Sequence, residues 1–180
     1  MGKNIEIKAL LRHPYAFRRT VEIISDSYHE MEQIDTYFFC HRGRLKLREE
    51  SSGNIELIYY CRENSTGPKV SNYLRCPVKN HNQILRMLDC QLGIRGIVSK
   101  RRIIYHTGQA RIHYDDVRDL GLFMESEIIL TPTQTIDYGL KICDELMALL
   151  GILQQDLICG SYIDLMEKGT CNQKSMGEEN

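Results

Sequence analysis

The chain has 180 residues and a mass of 20.9 kDa, a size that suits one domain around one hydrophobic core. Apolar residues at 42% and charged residues at 26%, with 4 Pro and 13 Gly, exclude a disordered or collagen-like chain. With 23 basic against 24 acidic residues the formal net charge is -1, so a wholly basic nucleic-acid binder is excluded and any anionic partner must be met by where the charges sit.

The first residues enter charged sequence without an apolar leader, and no run of 18 apolar residues follows anywhere. A soluble cytoplasmic protein, with neither membrane nor nucleic acid as partner, is the expectation. Period-2 alternation predicts a strand over 5–8. After Pro14, Phe17, Val21 and Ile24 share one face of a helix over 15–25. Alternation resumes over 34–38, 44–48, 55–62 and 71–78, with turn signals at 52–54 and 67–68. A second helix over 81–92 carries Ile84, Leu85, Leu88 and Leu92 as its stripe and stops at Gly93. Strands over 97–106, 110–115 and 123–130 bring the count to eight. A third helix starts at Thr131-Pro132 or at Thr133, runs to Leu150 with a stripe from Ile136 through Leu140, Cys143, Leu146 and Met147, and ends at Gly151. A short helix over 161–167 completes a domain of residues 1–167, and 168–180 reads as a polar, disordered tail. The seven cysteines are odd in number, scattered, and lack zinc spacing, which reads as reduced thiols.

The polar positions of the strands are mostly full charges. Glu6, Lys8, Lys46, Arg48, Arg62, Arg75, Lys100, Arg102, Arg111, Asp115, Glu125 and Glu127 fall on strands, many of them spaced i, i+2 and therefore on one face. Two arrangements fit: an antiparallel sheet with one wet face, or a barrel whose charged face points inward around water or a charged ligand. Eight of the twelve are basic although the whole chain is slightly acidic, and a polyanion would suit them. Glu125 and Glu127 set two carboxylates about 6 to 7 Å apart on one strand face, a geometry that serves hard divalent cations such as Mg2+ or Mn2+. Cations for phosphates with carboxylates for metal is the equipment of phosphoryl transfer. His106 and His113 are given no role, Tyr162 is expected to pack against the barrel, and Arg42 and Arg44 are left free to face outward. The third helix reads as core packing or as a dimer face, so the chain is expected to be a monomer or a homodimer.

Several separated motifs carry a resemblance: Asn4-Ile5-Glu6-Ile7-Lys8-Ala9, Gln33-Ile34-Asp35-Thr36-Tyr37-Phe38, Gly43-Arg44-Leu45-Lys46-Leu47-Arg48-Glu49, Gly67-Pro68-Lys69, Lys100-Arg101-Arg102, Asp115-Asp116-Val117, Leu120 to Glu127, and Ser161-Tyr162-Ile163-Asp164-Leu165. Residues 4 to 166 resemble the CYTH family, also called the triphosphate tunnel metalloenzymes, and within it the class IV adenylyl cyclase-like branch. The resemblance implies an α+β fold: a closed eight-stranded antiparallel β-barrel, the triphosphate tunnel, with a few α-helices packed outside. It implies a triphosphate-containing small molecule as substrate and Mg2+ or Mn2+ as cofactor. Glu6, Asp115, Glu125 and Glu127 would then be metal-side carboxylates, Lys8 with Glu6 catalytic, and Lys46, Arg48, Arg62, Arg75, Lys100, Arg102 and Arg111 the phosphate-binding cations.

Two departures stand out. The family's Glu-x-Glu-x-Lys reads Asn4-x-Glu6-x-Lys8 here, and an amide can offer a carbonyl oxygen but no charge. Val70 and Asn72 occupy positions that are often charged in the branch. Metal-dependent hydrolysis of tripolyphosphate or of an organic triphosphate is therefore the leading expectation, with cyclisation of ATP to cyclic AMP and non-catalytic binding of polyphosphate or nucleotide as alternatives.

Overall fold

A strand with one charged and one apolar face must give each face its own surroundings, and closing the sheet does this for all eight at once. The computed structural model describes residues 2–62 and 64–175. Its strands are β1 (Gly2–Leu10), β2 (Ser27–Phe38), β3 (Arg44–Glu50), β4 (Ile55–Cys61), β5 (Lys69–Pro77), β6 (Ile94–Thr107), β7 (Ala110–Val117) and β8 (Gly121–Ile129). All neighbours are antiparallel, and the order β1-β5-β4-β3-β2-β6-β7-β8 closes as β8 returns to β1. The fold is thus the closed barrel with helices outside. The first seven residues of β2 lack the alternation that marks the rest, and they form strand by pairing with the far end of β6, from Ser27 opposite His106 to Gln33 opposite Lys100.

The hydrophobic core lies outside the barrel. Ile5, Ile7, Ala9, Ile112, Met124 and Ile128 point outward and are covered by Phe17 and Val21 of α1 (Pro14–Ile24) and by Cys143, Leu146, Met147 and Leu150 of α3 (Ile136–Leu150). Helix α3 begins later than the Thr131 or Thr133 expected, because the Thr135 hydroxyl accepts from the Tyr138 backbone N–H and caps it. Gly139 lets it lie close: a methyl there would sit 2.6 Å from Ile5 Cδ1 and 2.9 Å from Leu130 Cδ2. Helix α2 (His81–Leu92) rests on β2 with none of its residues fully buried, so its apolar stripe is only half covered.

A second apolar cluster fills one end of the lumen. Val98, Val117 and Phe123 share the inward faces of Lys100, Asp115 and Glu125, two residues along each strand, and Tyr162 and Ile163 of α4 (Tyr162–Ser175) pack on them. Helix α4 extends past the Glu167 at which a tail was expected, and the last five residues of that tail lie outside the described residues. Cys40, Cys61, Cys76, Cys90, Cys143 and Cys159 are free thiols. Among the described residues no helix is long and apolar enough to cross a membrane.

Candidate active site

The inward faces enclose a cavity of about 120 Å³, room for several waters or a short phosphate chain. Its lining includes Glu6, Lys8, Lys46, Arg48, Arg62, Arg75, Lys100, Arg102, Arg111, Glu125 and Glu127, so the alternation brought eleven of the twelve candidate charges to one lumen. Asp115 stands just behind the wall and is fully buried.

The cationic side is organised by a residue whose role was not read from the sequence. Asp35 on β2 accepts from Lys46 Nζ at 2.9 Å, Lys100 Nζ at 3.0 Å, and Arg48 Nε and Nη2 at 2.7 and 2.9 Å. Burial alone would raise its carboxyl, but the three cations hold it well below the ordinary carboxylate range. The two lysines respond in the opposite direction. Burial, then Arg48, brings Lys46 down to about 7 against the pull of Asp35, and burial brings Lys100 down to about 8. These ammoniums sit at the edge of losing their protons near neutral pH.

The acidic side follows the β1–β8 register. Glu6 faces Glu127 and Lys8 faces Glu125 directly. Lys8 Nζ lies 3.2 Å from Glu125 Oε1 and 3.5 Å from the centre of the Tyr162 ring. Arg102 bridges two carboxylates, donating to both Asp115 oxygens at 2.6 Å and to Glu125 Oε2 at 2.7 Å. Asp115 also accepts from the Tyr162 hydroxyl at 2.6 Å. Burial opposes its ionisation, yet Arg102 brings its carboxyl down to about 2. Both Asp115 oxygens are therefore engaged in fixing Arg102 and Tyr162, in contrast to the metal-side placement that the motif implies.

Tyr162 belongs to the site and does more than pack, because the 158–164 segment folds across the plugged end of the barrel. Arg62 ion-pairs with Glu6 and donates to the Gly160 carbonyl at 2.9 Å, and Lys69 donates to the Ile158 carbonyl at 3.1 Å. Arg44 also points inward, buried, and bonds Asp164 at 2.6 Å, whereas Arg42 is exposed. Strict alternation with Lys46 and Arg48 was the signal that could have placed Arg44. Arg75 sits at the open rim, 41% exposed and paired with Glu56, and Arg111 is half-buried opposite Glu127. His113 is buried beside Glu125, with Nδ1 3.7 Å from Oε2, and burial lowers its pKa.

A family model described as the CYTH domain matches residues 2–162. The chain belongs to the CYTH family. Solved structures with the same fold include PH1012 protein from Pyrococcus horikoshii OT3, with a TM-score of 0.79 and 23% identity, covering 90% of this chain and 98% of that one. A Vibrio parahaemolyticus protein provisionally named an adenylate cyclase gives 0.77 and 18%, covering 93% and 99%. HpAC1 from Hippeastrum, described as having a dominant triphosphatase activity, gives 0.62 and 16%, covering 92% and 96%. No curated protein matches the sequence.

Whether this CYTH lumen suits a hard divalent cation can be judged from its donors. Among the described residues no three His, Cys, Asp or Glu side chains gather as a metal-binding group. What the register provides is a facing carboxylate pair, Glu6 and Glu127, with the buried Asn4 Oδ1 on the next inward position of β1 lacking a hydrogen-bond partner. Arg62 and Arg111 already offset part of the charge on this pair, and an oxygen-only set of this size suits an ion that completes its shell with water and phosphate oxygens. The residues fit such an ion.

Proposed function

We propose that this CYTH protein hydrolyses the terminal phosphoric anhydride of a triphosphate, inorganic or organic, with Mg2+ or Mn2+ as cofactor. The observation that carries this reading is the pairing, in one lumen, of the Lys46–Arg48–Lys100–Arg102 cation wall with the facing carboxylates Glu6 and Glu127. The wall's N–H donors would grip phosphate oxygens and offset the charge that builds on the leaving diphosphate. Glu6 and Glu127, with Asn4, would hold the divalent ion, which would supply charge neutralisation at the phosphates. Lys8, held by Glu125 and the Tyr162 ring, would orient an attacking water in line with the anhydride bond that breaks. The water oxygen becomes the fourth oxygen of the released phosphate. HpAC1, a structural relative described by its triphosphatase activity, supports hydrolysis over cyclisation.

The test is phosphate release from tripolyphosphate, ATP and thiamine triphosphate, each with Mg2+ and with Mn2+. Turnover of any one supports the proposal, and turnover of none sinks it. Cyclic AMP formed from ATP without phosphate release would assign the lumen to cyclisation. Tight tripolyphosphate binding by calorimetry without turnover would make it a binding module, a reading to which Asn4 lends its missing charge.

A further inference from the structure

Asp35 is 1% exposed at the centre of the cation wall, and its two oxygens accept four N–H bonds from three cations on two other strands. Arg48 is its direct cross-strand partner on β3, while Lys46 and Lys100 reach it from diagonal positions on β3 and β6. We propose that Asp35 is a positioning residue that keeps Lys46, Arg48 and Lys100 jointly charged and aimed at one phosphate group. This deepens the triphosphate reading above and rests on it.

A bare anion inside a phosphate site would repel substrate, yet the acceptor positions of Asp35 are taken up by cations, so an incoming phosphate meets N–H groups. Without it, two buried ammoniums and the part-buried Arg48 would face one another. The other groups around Lys46 are Arg48 on its own strand, Tyr37 on β2 and Tyr60 on β4, whose ring centres lie 5.5 and 5.7 Å away, and Lys100 on β6. Lys100 faces Arg102 on its own strand, Arg48 on β3, Asp115 on β7 and the Tyr162 ring at 5.8 Å. Beside these two ammoniums the carboxylates are Asp35, which bonds both, and Asp115, which is committed to Arg102. Removing the Asp35 charge therefore favours the neutral lysines, and a phosphate that needs them charged must then bring protons in with it.

The experiment is tripolyphosphate binding by calorimetry for the intact protein and Asp35→Asn, over about pH 6 to 9 and in buffers of different ionisation enthalpy. Each proton taken up on binding costs tenfold in affinity per pH unit. Near pH 7 the variant should take up about one proton more than the parent. Its affinity should be within about fivefold at pH 6 and fall more steeply than the parent's up to about pH 8, by about tenfold more per unit near pH 7, the two slopes converging above that. Asp35→Glu, which keeps the charge, should follow the parent curve. Parallel pH curves for parent and Asp35→Asn would overturn the proposal and leave the triphosphate reading intact, whereas a parent that binds no tripolyphosphate fails the triphosphate reading itself. Should Asp35→Asn not fold, lysine-selective 15N spectra of the parent decide without ligand. Slowly exchanging Nζ signals from both lysines at pH 6 support the ion-paired cluster, and fast exchange at both overturns it.

Discussion

Glu6 on β1 and Glu127 on β8 stand directly opposite each other across one antiparallel pair, two carboxylates on the same inward face. Arg62 pairs with Glu6, but from the plugged side of the lumen. Facing like charges cost roughly 0.2–1 kcal/mol, and Glu127→Gln relieves this cost while removing half of the proposed metal cradle. The same change removes the charge opposite Arg111, so without metal the two effects offset and the variant should melt within about 2 °C of the parent. With Mg2+ at a hundredfold excess over its dissociation constant, the parent should gain about 2.7 kcal/mol, or roughly 5–10 °C, and the variant almost nothing. Calorimetric melts with and without Mg2+ check both, and equal metal shifts would refute the cradle.

Lys8 gives a sharper kinetic expectation. Its ammonium lies between Glu125 and the Tyr162 ring. Replacing it by Met leaves Glu125 still bound to Arg102, so the buried carboxylate keeps a partner and the barrel should stay folded. If Lys8 acts mainly in the transition state, kcat should fall about 100- to 1000-fold while KM changes less than about fivefold. Steady-state phosphate release checks this; a large KM rise at unchanged kcat would make Lys8 an ordinary phosphate contact.

Tyr162 separates ring from hydroxyl. Tyr162→Phe keeps the face under Lys8 and the packing on Phe123, but leaves Asp115 with one donor fewer, at a cost of about 1–3 kcal/mol. Tyr162→Ala also opens the apolar plug and should cost about 3–5 kcal/mol. Urea denaturation midpoints rank the two, and equal losses would mean that the hydroxyl bond is what matters.

The charged strand face was legible in i, i+2 spacing, which fitted a wet-faced sheet as well as a barrel until the family resemblance implied the barrel; residues such as Lys46, Arg48, Lys100 and Arg102 share that face and line the lumen. Asp35 stayed silent because a lone acid between Ile34 and Thr36 acquires its role only from lysines 11 and 65 residues away, and sequence distance conceals that meeting. Tyr162 packs on the barrel as expected, but its bond to Asp115 stayed silent for a similar reason: nothing local says that the chain after α3 turns back over the barrel end. Asp115 had the right spacing for the lumen, but its oxygens are claimed by Arg102 and Tyr162, a competition that no spacing reveals.

Helix α3 offers a test of how the outer core is fitted. Ala favours a helix interior over Gly by about 1 kcal/mol, so Gly139→Ala would stabilise a free-standing helix. Here the added methyl would meet Ile5 and Leu130 at under 3 Å, and overpacking costs about 1–3 kcal/mol. The net expectation is a less stable protein, read as a lower urea midpoint with the slope unchanged. A gain would show that α3 can lift from β1 without penalty.

The pH dependence of stability follows from the groups the barrel buries. Asp115, brought down to about 2, contributes stability that is present above the ordinary carboxylate range near 4 and lost as pH falls toward 2. The lysines act with the reverse chemistry but the same slope. Lys46 is lowered to about 7, and Lys100 and Lys69 to about 8, so between those values and about 10.4 the unfolded chain binds more protons and stability rises with pH. Buried His113, also lowered, adds to the rise below about pH 6.5. The sign changes where Cys143 and Tyr60, both raised by burial to about 12, keep protons that the unfolded chain sheds near 9 to 10. Stability without ligand should therefore climb from about pH 6 to a maximum near pH 10 and decline beyond it. Tripolyphosphate, which needs the lysines charged, should raise the midpoint more at about pH 6 than at 9. Urea midpoints across this range check both, and a ligand-free maximum near pH 6 would mean that the buried lysines stay charged throughout.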